Sequence, residues 1–169
     1  MKKFELTNEF ITNMFGTKLF RIRALVEFGD VEAGELGGYV EKESNLGHDD
    51  NAWVYDNAWV YGDAQVSGDA LVYDNARVYG NAQVSGDARV CGDARVCGNG
   101  DYAYAHGFGS VNRTTTFFRL KDGGVGVRCG CFYGTLAQFR DKIRETHGET
   151  KKAQEYLMLA DLMKLRFEK

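Results

Sequence analysis

Few side chains in this sequence are of a type to do acid–base or metal chemistry. Its three histidines are His48, His106 and His147, the only groups whose unperturbed acidity lies near neutral pH. His48 is followed by Asp49, a carboxylate able to orient it, whereas His106 and His147 have no such neighbour. Cys91, Cys97, Cys129 and Cys131 form no Cys-x-x-Cys pair, and no histidine stands beside them at ligand spacing, so no metal site is expected. No P-loop, Gly-x-Ser-x-Gly or His-Glu-x-x-His motif occurs. Recognition chemistry is better represented. Trp59, Arg77 and Arg95 recur every 18 residues, and Tyr61, Tyr79 and Cys97 keep the same interval. A guanidinium pairs with phosphate and an aromatic ring stacks on a base, so such columns suit a nucleotide-like anion. Arg113, Thr115 and Arg119 alternate on the next strand close to His106, and are expected to complete an anion pocket. The ligand-binding set read from sequence is thus Trp59, Tyr61, Arg77, Tyr79, Arg95, His106, Arg113, Thr115 and Arg119, with no catalytic residues, cofactor or metal.

The element that must position these columns is a repeat of six. From Asn51 to Gly98 the chain reads NAWVYD, NAWVYG, DAQVSG, DALVYD, NARVYG, NAQVSG, DARVCG, DARVCG. Alanine recurs from Ala52 to Ala94 and valine from Val54 to Val96, each at steps of six. Residues two apart share one face of a strand, so Ala and Val point to one side and the residues flanking Val to the other. The Gly/Asp–Asp/Asn pair that closes each unit is turn chemistry, tolerant of left-handed backbone. Three sixes make the 18-residue period. Each coil therefore has three flat sides, and outward residues stack in ladders about 4.8 Å apart. One side displays Trp59, Arg77 and Arg95 beside Tyr61, Tyr79 and Cys97. A second displays Trp53, Leu71 and Arg89 beside Tyr55, Tyr73 and Cys91. The third carries only Gln and Ser.

This pattern resembles the hexapeptide-repeat, left-handed β-helix family, whose signature places a small residue four after each aliphatic one, as from Val54 to Ala58. The resemblance implies a mainly β fold: a three-sided, left-handed parallel β-helix. The scaffold serves acyltransferases, polymers and ligand-binding proteins alike, so it does not by itself fix an activity. The repeat together with Thr-Thr-Thr-Phe-Phe-Arg and Cys-Gly-Cys-Phe-Tyr-Gly-Thr-Leu is also similar to a group of phage and prophage β-helix proteins.

Residues 1–33 are expected to cap the lower end, 34–109 to form the helix, and 110–169 to form a C-terminal ββαα cap and oligomerisation region. Gly34, Val40 and Leu46 keep the phase of the alanine column and suggest an irregular first coil. Lys18 to Leu25 alternates as a strand. Downstream, the repeat decays through Asp101–Gly109, and Thr114–Leu120 with Val125–Cys131 reads as a hairpin. A helix begins at Thr135 with Gln138 completing a capping box, Gly148 stops it, and a last helix runs from about Thr150 to Phe167.

Composition bounds the partners. With 44% apolar and 27% charged residues the chain is expected to fold, and no run is long and apolar enough to span a bilayer. There is no proline, so the 21 glycines and Asn/Asp must shape the turns. The net charge of −3 divides unevenly: residues 1–50 carry 6 basic against 10 acidic side chains, 51–109 carry 3 against 7, and 110–169 carry 12 against 7. A strongly basic domain of the nucleic-acid-binding kind is therefore not expected. With no secretory signal, thiols are expected to stay reduced in the cytoplasm of a bacterial host.

These observations favour a non-catalytic phage-type protein, a homotrimer or larger homo-oligomer, that sequesters a small nucleotide-derived signal in clefts between subunits and so counters host defence. Two alternatives stand beside it. A hexapeptide-repeat acyltransferase would use a histidine base in a trimer cleft, but no loop interrupts Asn51 to Gly98 to cover a cofactor arm. A structural or protein-binding trimer would bury the Trp and Tyr ladders against sister chains or a host protein.

Overall fold

A computed structural model describes residues 1–168. The chain opens with β1 (Phe4–Thr12) and β2 (Lys18–Ala24), an antiparallel pair, and β3 (Leu36–Val40) pairs antiparallel with β2. Two-residue strands follow, one per repeat: β4 (Trp53–Val54), β5 (Trp59–Val60), β6 (Gln65–Val66), β7 (Leu71–Val72), β8 (Arg77–Val78), β9 (Gln83–Val84), β10 (Arg89–Val90) and β11 (Arg95–Val96). They are short because a turn takes the rest of each six. Strands one coil apart pair in parallel, in the ladders β4–β7–β10, β3–β5–β8–β11 and β6–β9. The result is a β-solenoid of about three turns. Every alanine and valine of the repeat is buried. Burying one valine is worth roughly 1.5–3 kcal/mol, which is what holds strands this short. At one corner Asp56, Asp74 and Gly92 succeed one another with φ of 55°, 58° and 60°. The aspartates tolerate this backbone because their carboxylates accept from the next coil: Asp56 from the Asp74 N–H and Asp74 from the Gly92 N–H (3.4 and 3.0 Å).

The first coil departs from the expected phase. Val40 pairs with Val60 and Leu46 bridges to Val66, so both extend the valine column rather than the alanine column. The step is 20 residues instead of 18, and the surplus is taken up around His48–Asp50. Lys3 fills the widened corner. Its Nζ donates to the carbonyls of Asp50 and Ala52 (2.9 and 2.8 Å) and to the Asp50 carboxylate (3.2 Å). Burial lowers the ammonium's pKa more than Asp50 raises it. Trp53 and Cys91, expected to point outward, are buried. Trp53 lies under the N-terminal segment, edge-on to Phe4 (6.2 Å) and Phe28 (5.2 Å).

The C-terminal cap has four strands where the pattern suggested two. β12 (Tyr102–Phe108), β13 (Arg113–Arg119), β14 (Val125–Cys129) and β15 (Phe132–Thr135) form an antiparallel sheet in that order. β12, within the stretch where the repeat decays, pairs with β13 and so joins this sheet. β12 escaped notice because small alanines occupy one of its faces, and β15 because it is only four residues long. α1 (Leu136–His147) starts at a capping box: the Gln138 N–H donates to Thr135 Oγ1 (3.2 Å) and the Thr135 N–H to Gln138 Oε1 (2.9 Å). Gly148, at φ 58°, ends it, and α2 (Lys151–Phe167) follows.

The sheet lies between the solenoid and the helices. Adjacent Phe118 and Phe117 point to opposite faces, the first into the solenoid core and the second into the helical core. N–H groups of the last coil, which would pair with a further coil, are met by side chains. Arg89 N–H donates to Thr116 Oγ1 (2.9 Å), Gln83 N–H to Asn99 Oδ1 (2.8 Å) and Cys97 N–H to the Asp101 carboxylate (3.0 Å). Among the described residues no helix is long and apolar enough to cross a membrane.

Candidate anion-binding site

Strand alternation decides which side chains meet. Residues of the cap sheet that share the Phe118 face look toward the solenoid: His106 on β12, Thr114 and Thr116 on β13, and Arg128 on β14. His106, Thr114 and Arg128 face Tyr73, Asp87 and Arg89 of the solenoid across a groove of about 380 Å³, which Arg113 and Gly130 also line. Arg89 is anchored by Nη1, which donates to the carbonyls of Asp69 (2.7 Å) and Asp87 (3.1 Å). The Arg128 guanidinium lies 5.7 Å from the Tyr73 ring centre. Burial, and then Cys91, raises the pKa of the Tyr73 hydroxyl, which stays protonated. His106 Nδ1 is 2.7 Å from Thr114 Oγ1, and its nearest carboxylate oxygen, on Asp87, is 3.8 Å away. Among the described residues, Arg89, Arg113 and Arg128 have no carboxylate oxygen within 4.0 Å. Three guanidiniums against one carboxylate make the groove cationic.

The expected grouping of Arg113, Thr115 and Arg119 around His106 is not what the fold builds. Odd-numbered residues of β13 face the helices. Thr115 is buried there, donating to Cys129 Sγ (3.2 Å). Arg119 lies 5.1 Å from the Phe167 ring, donates to the Phe167 carbonyl (3.1 Å) and sits 3.6 Å from the Asp101 carboxylate. Only Arg113, at the strand's start, reaches the groove. It crosses Gly130, whose φ of 58° favours glycine and where a Cβ would collide with the guanidinium. Arg128 was missed by sequence reading. The clue is alternation in Val125–Cys129, where Arg128 falls opposite Thr116 and between inward-facing Val127 and Cys129.

Trp59, Tyr61, Arg77, Tyr79 and Arg95 come together on a different ladder. The Arg77 guanidinium stacks 3.9 Å over Trp59, and Tyr61 and Tyr79 stack at 5.2 Å. The column continues to Tyr39 and Arg21, whose Nη1 donates to the Tyr39 hydroxyl (2.8 Å). Arg95 Nη1 donates to the Asn75 and Ala94 carbonyls (3.0 and 2.8 Å), and burial followed by repulsion from Arg77 lowers its pKa. These planar groups pack on one another along one side of the solenoid, and none of them lines the groove.

The remaining candidate bases are engaged structurally. His48 stacks on Phe4 (4.4 Å) and its Nδ1 accepts from the Lys3 N–H (3.2 Å), while His147 stacks on Tyr156 (5.9 Å). Burial pushes the Cys91 thiol up to about 11, far from a thiolate at neutral pH. Among the described residues no group of three His, Cys, Asp or Glu is placed to hold a metal ion.

No curated protein matches the chain. A family model described as YdcK Beta solenoid repeat matches residues 64–80, 72–86 and 82–98. Those overlapping stretches fall within the coils from β6 to β11, and over them the chain is similar to that repeat, which agrees with the β-solenoid and leaves both caps unmatched.

Proposed function

We propose that the chain is a non-catalytic binding protein that holds a small nucleotide-derived anion intact. The observation that supports this is the convergence of Arg89, Arg113 and Arg128 with His106 on one groove, with a single carboxylate, Asp87, to oppose them. Guanidiniums not neutralised within the fold are available to phosphate oxygens in bidentate geometry. Among the described residues no histidine has a hydrogen-bonded carboxylate to orient it as a general base, which supports binding over turnover. The 18-residue pairing step and three separate ladders support a three-sided coil, and the resemblance of the repeat to the hexapeptide family supports a left-handed one. The flat Trp59–Arg77–Arg95 face supports self-association into a homo-oligomer, most simply a trimer, because half-buried stacked rings gain by further burial. Resemblance to phage β-helix proteins supports a role in sequestering a host immune signal.

Mass spectrometry tests the proposal. The protein is incubated with cyclic dinucleotides and cyclic ADP-ribose isomers, freed of excess ligand and denatured. Release of intact ligand from the wild type, lost in Arg128→Ala at an unchanged melting temperature, is the expected result. Degraded or acylated product, or no retained ligand, overturns it.

A further inference from the structure

Behind the groove, between the cap sheet and the two helices, lies a second cavity of about 260 Å³. Four rings frame it. Phe139 packs on Phe132 (5.7 Å) and meets Tyr156 edge-on (5.8 Å, 84°), and Tyr156 stacks with His147 (5.9 Å, 24°). Ile143 completes an apolar wall, while Lys142 and Arg113 bring positive charge. Arg113 lines both this cavity and the outer groove, so one guanidinium is shared by two compartments of different character.

We infer that groove and cavity form one bipartite site for a nucleoside phosphate, with the phosphate held by Arg89, Arg113 and Arg128 and the base inserted among the rings of Phe132, Phe139, Tyr156 and His147. The inference rests on the groove being an anion site, as proposed above. Size supports the division. The cavity alone falls below the roughly 300 Å³ at which sites for whole drug-sized ligands begin, so it suits a part of one. Its aromatic lining favours a flat ring, through stacked and edge-on contacts, over an alkyl chain. The wall is not wholly apolar either. The Tyr156 hydroxyl has Cys129 Sγ at 3.9 Å as its polar neighbour, and burial keeps it protonated with a pKa pushed up to about 12. A heteroaromatic ring offers that hydroxyl an acceptor, which a hydrocarbon does not.

Calorimetry on the full chain separates the two claims. Probes are the 5′-monophosphates of adenosine, guanosine, cytidine and uridine, with ribose 5-phosphate as the base-less reference. At least one nucleotide is expected to bind about tenfold or more tighter than ribose 5-phosphate. Thr146→Trp, at an exposed position of the cavity lining, is expected to remove that advantage and leave ribose 5-phosphate binding unchanged. Arg128→Ala is expected to weaken every probe. If all four nucleotides bind no tighter than ribose 5-phosphate, or Thr146→Trp leaves their advantage intact at an unchanged melting temperature, the bipartite site is refuted while the groove survives. If no probe binds the wild type, the groove itself falls and the inference with it.

Discussion

Replacing Thr116 by valine tests how the cap is fastened to the solenoid. Thr116 is fully buried, and its Oγ1 accepts the Arg89 N–H at 2.9 Å, on the last coil. Valine has nearly the same shape, so no cavity opens. What changes is that a backbone donor loses its partner away from water. Leaving such a group unsatisfied costs about 1–3 kcal/mol. For a chain of this size that corresponds to a fall in melting temperature of about 2–4 °C per kcal/mol. Thr116→Ser supplies the control: it keeps the acceptor and loses one methyl, worth about 1 kcal/mol. The two variants are separated by amide hydrogen exchange. The Arg89 amide should exchange about 5–150 times faster in Thr116→Val and near the wild-type rate in Thr116→Ser. Should Thr116→Val leave both the urea midpoint and Arg89 protection unchanged, the cap is not held through this bond, and the groove that joins Arg89 to Arg128 is less fixed than described.

Three further outcomes follow from the geometry. The folded-state pKa of Cys91, about 11, lies above its ordinary value of 9.0, so the unfolded chain releases this proton first; its contribution of about 2–3 kcal/mol is whole below pH 9 and is lost as pH rises toward 11. Urea titrations between pH 8 and pH 11 should show that decline, reduced in Cys91→Ala. Thiol-reactive dye should label exposed Cys97 and Cys131 in the native protein and Cys91 only after unfolding. Asp74→Ala keeps a side chain at φ 58° and removes the acceptor of the Gly92 N–H, so it should be less stable than Asp74→Gly by about 1 kcal/mol in denaturant melts, the difference being the left-handed backbone penalty.

Much of the solenoid was legible because one strict period fixes each alanine and valine, and nothing competes with that period between Asn51 and Gly98. The ends were harder. Periodicity does not reveal that two surplus residues move Val40 and Leu46 from the alanine column to the valine column, because the compensating contact comes from Lys3, remote in sequence. Trp53 reads as an outward ladder residue like Trp59, yet it is buried because Phe4 and Phe28 fold back over it. The groove was half visible for a similar reason. His106 and Arg113 stand out as residue types, but alternation along β13 sends Thr115 and Arg119 to the other face. Arg89 and Arg128 become neighbours only when the sheet docks.

The side chains that seal the last coil accept from main-chain N–H groups, not from particular residues. A lengthened protein needs no new seal, because any coil in that place presents the same row of donors. Internal duplication of one 18-residue unit would raise the upper sheet by about 4.8 Å and leave both closures serviceable. The distance between the amino-terminal strands and the cationic groove is thus a quantised variable, one that evolution or an engineer can set in whole steps without redesigning either extremity.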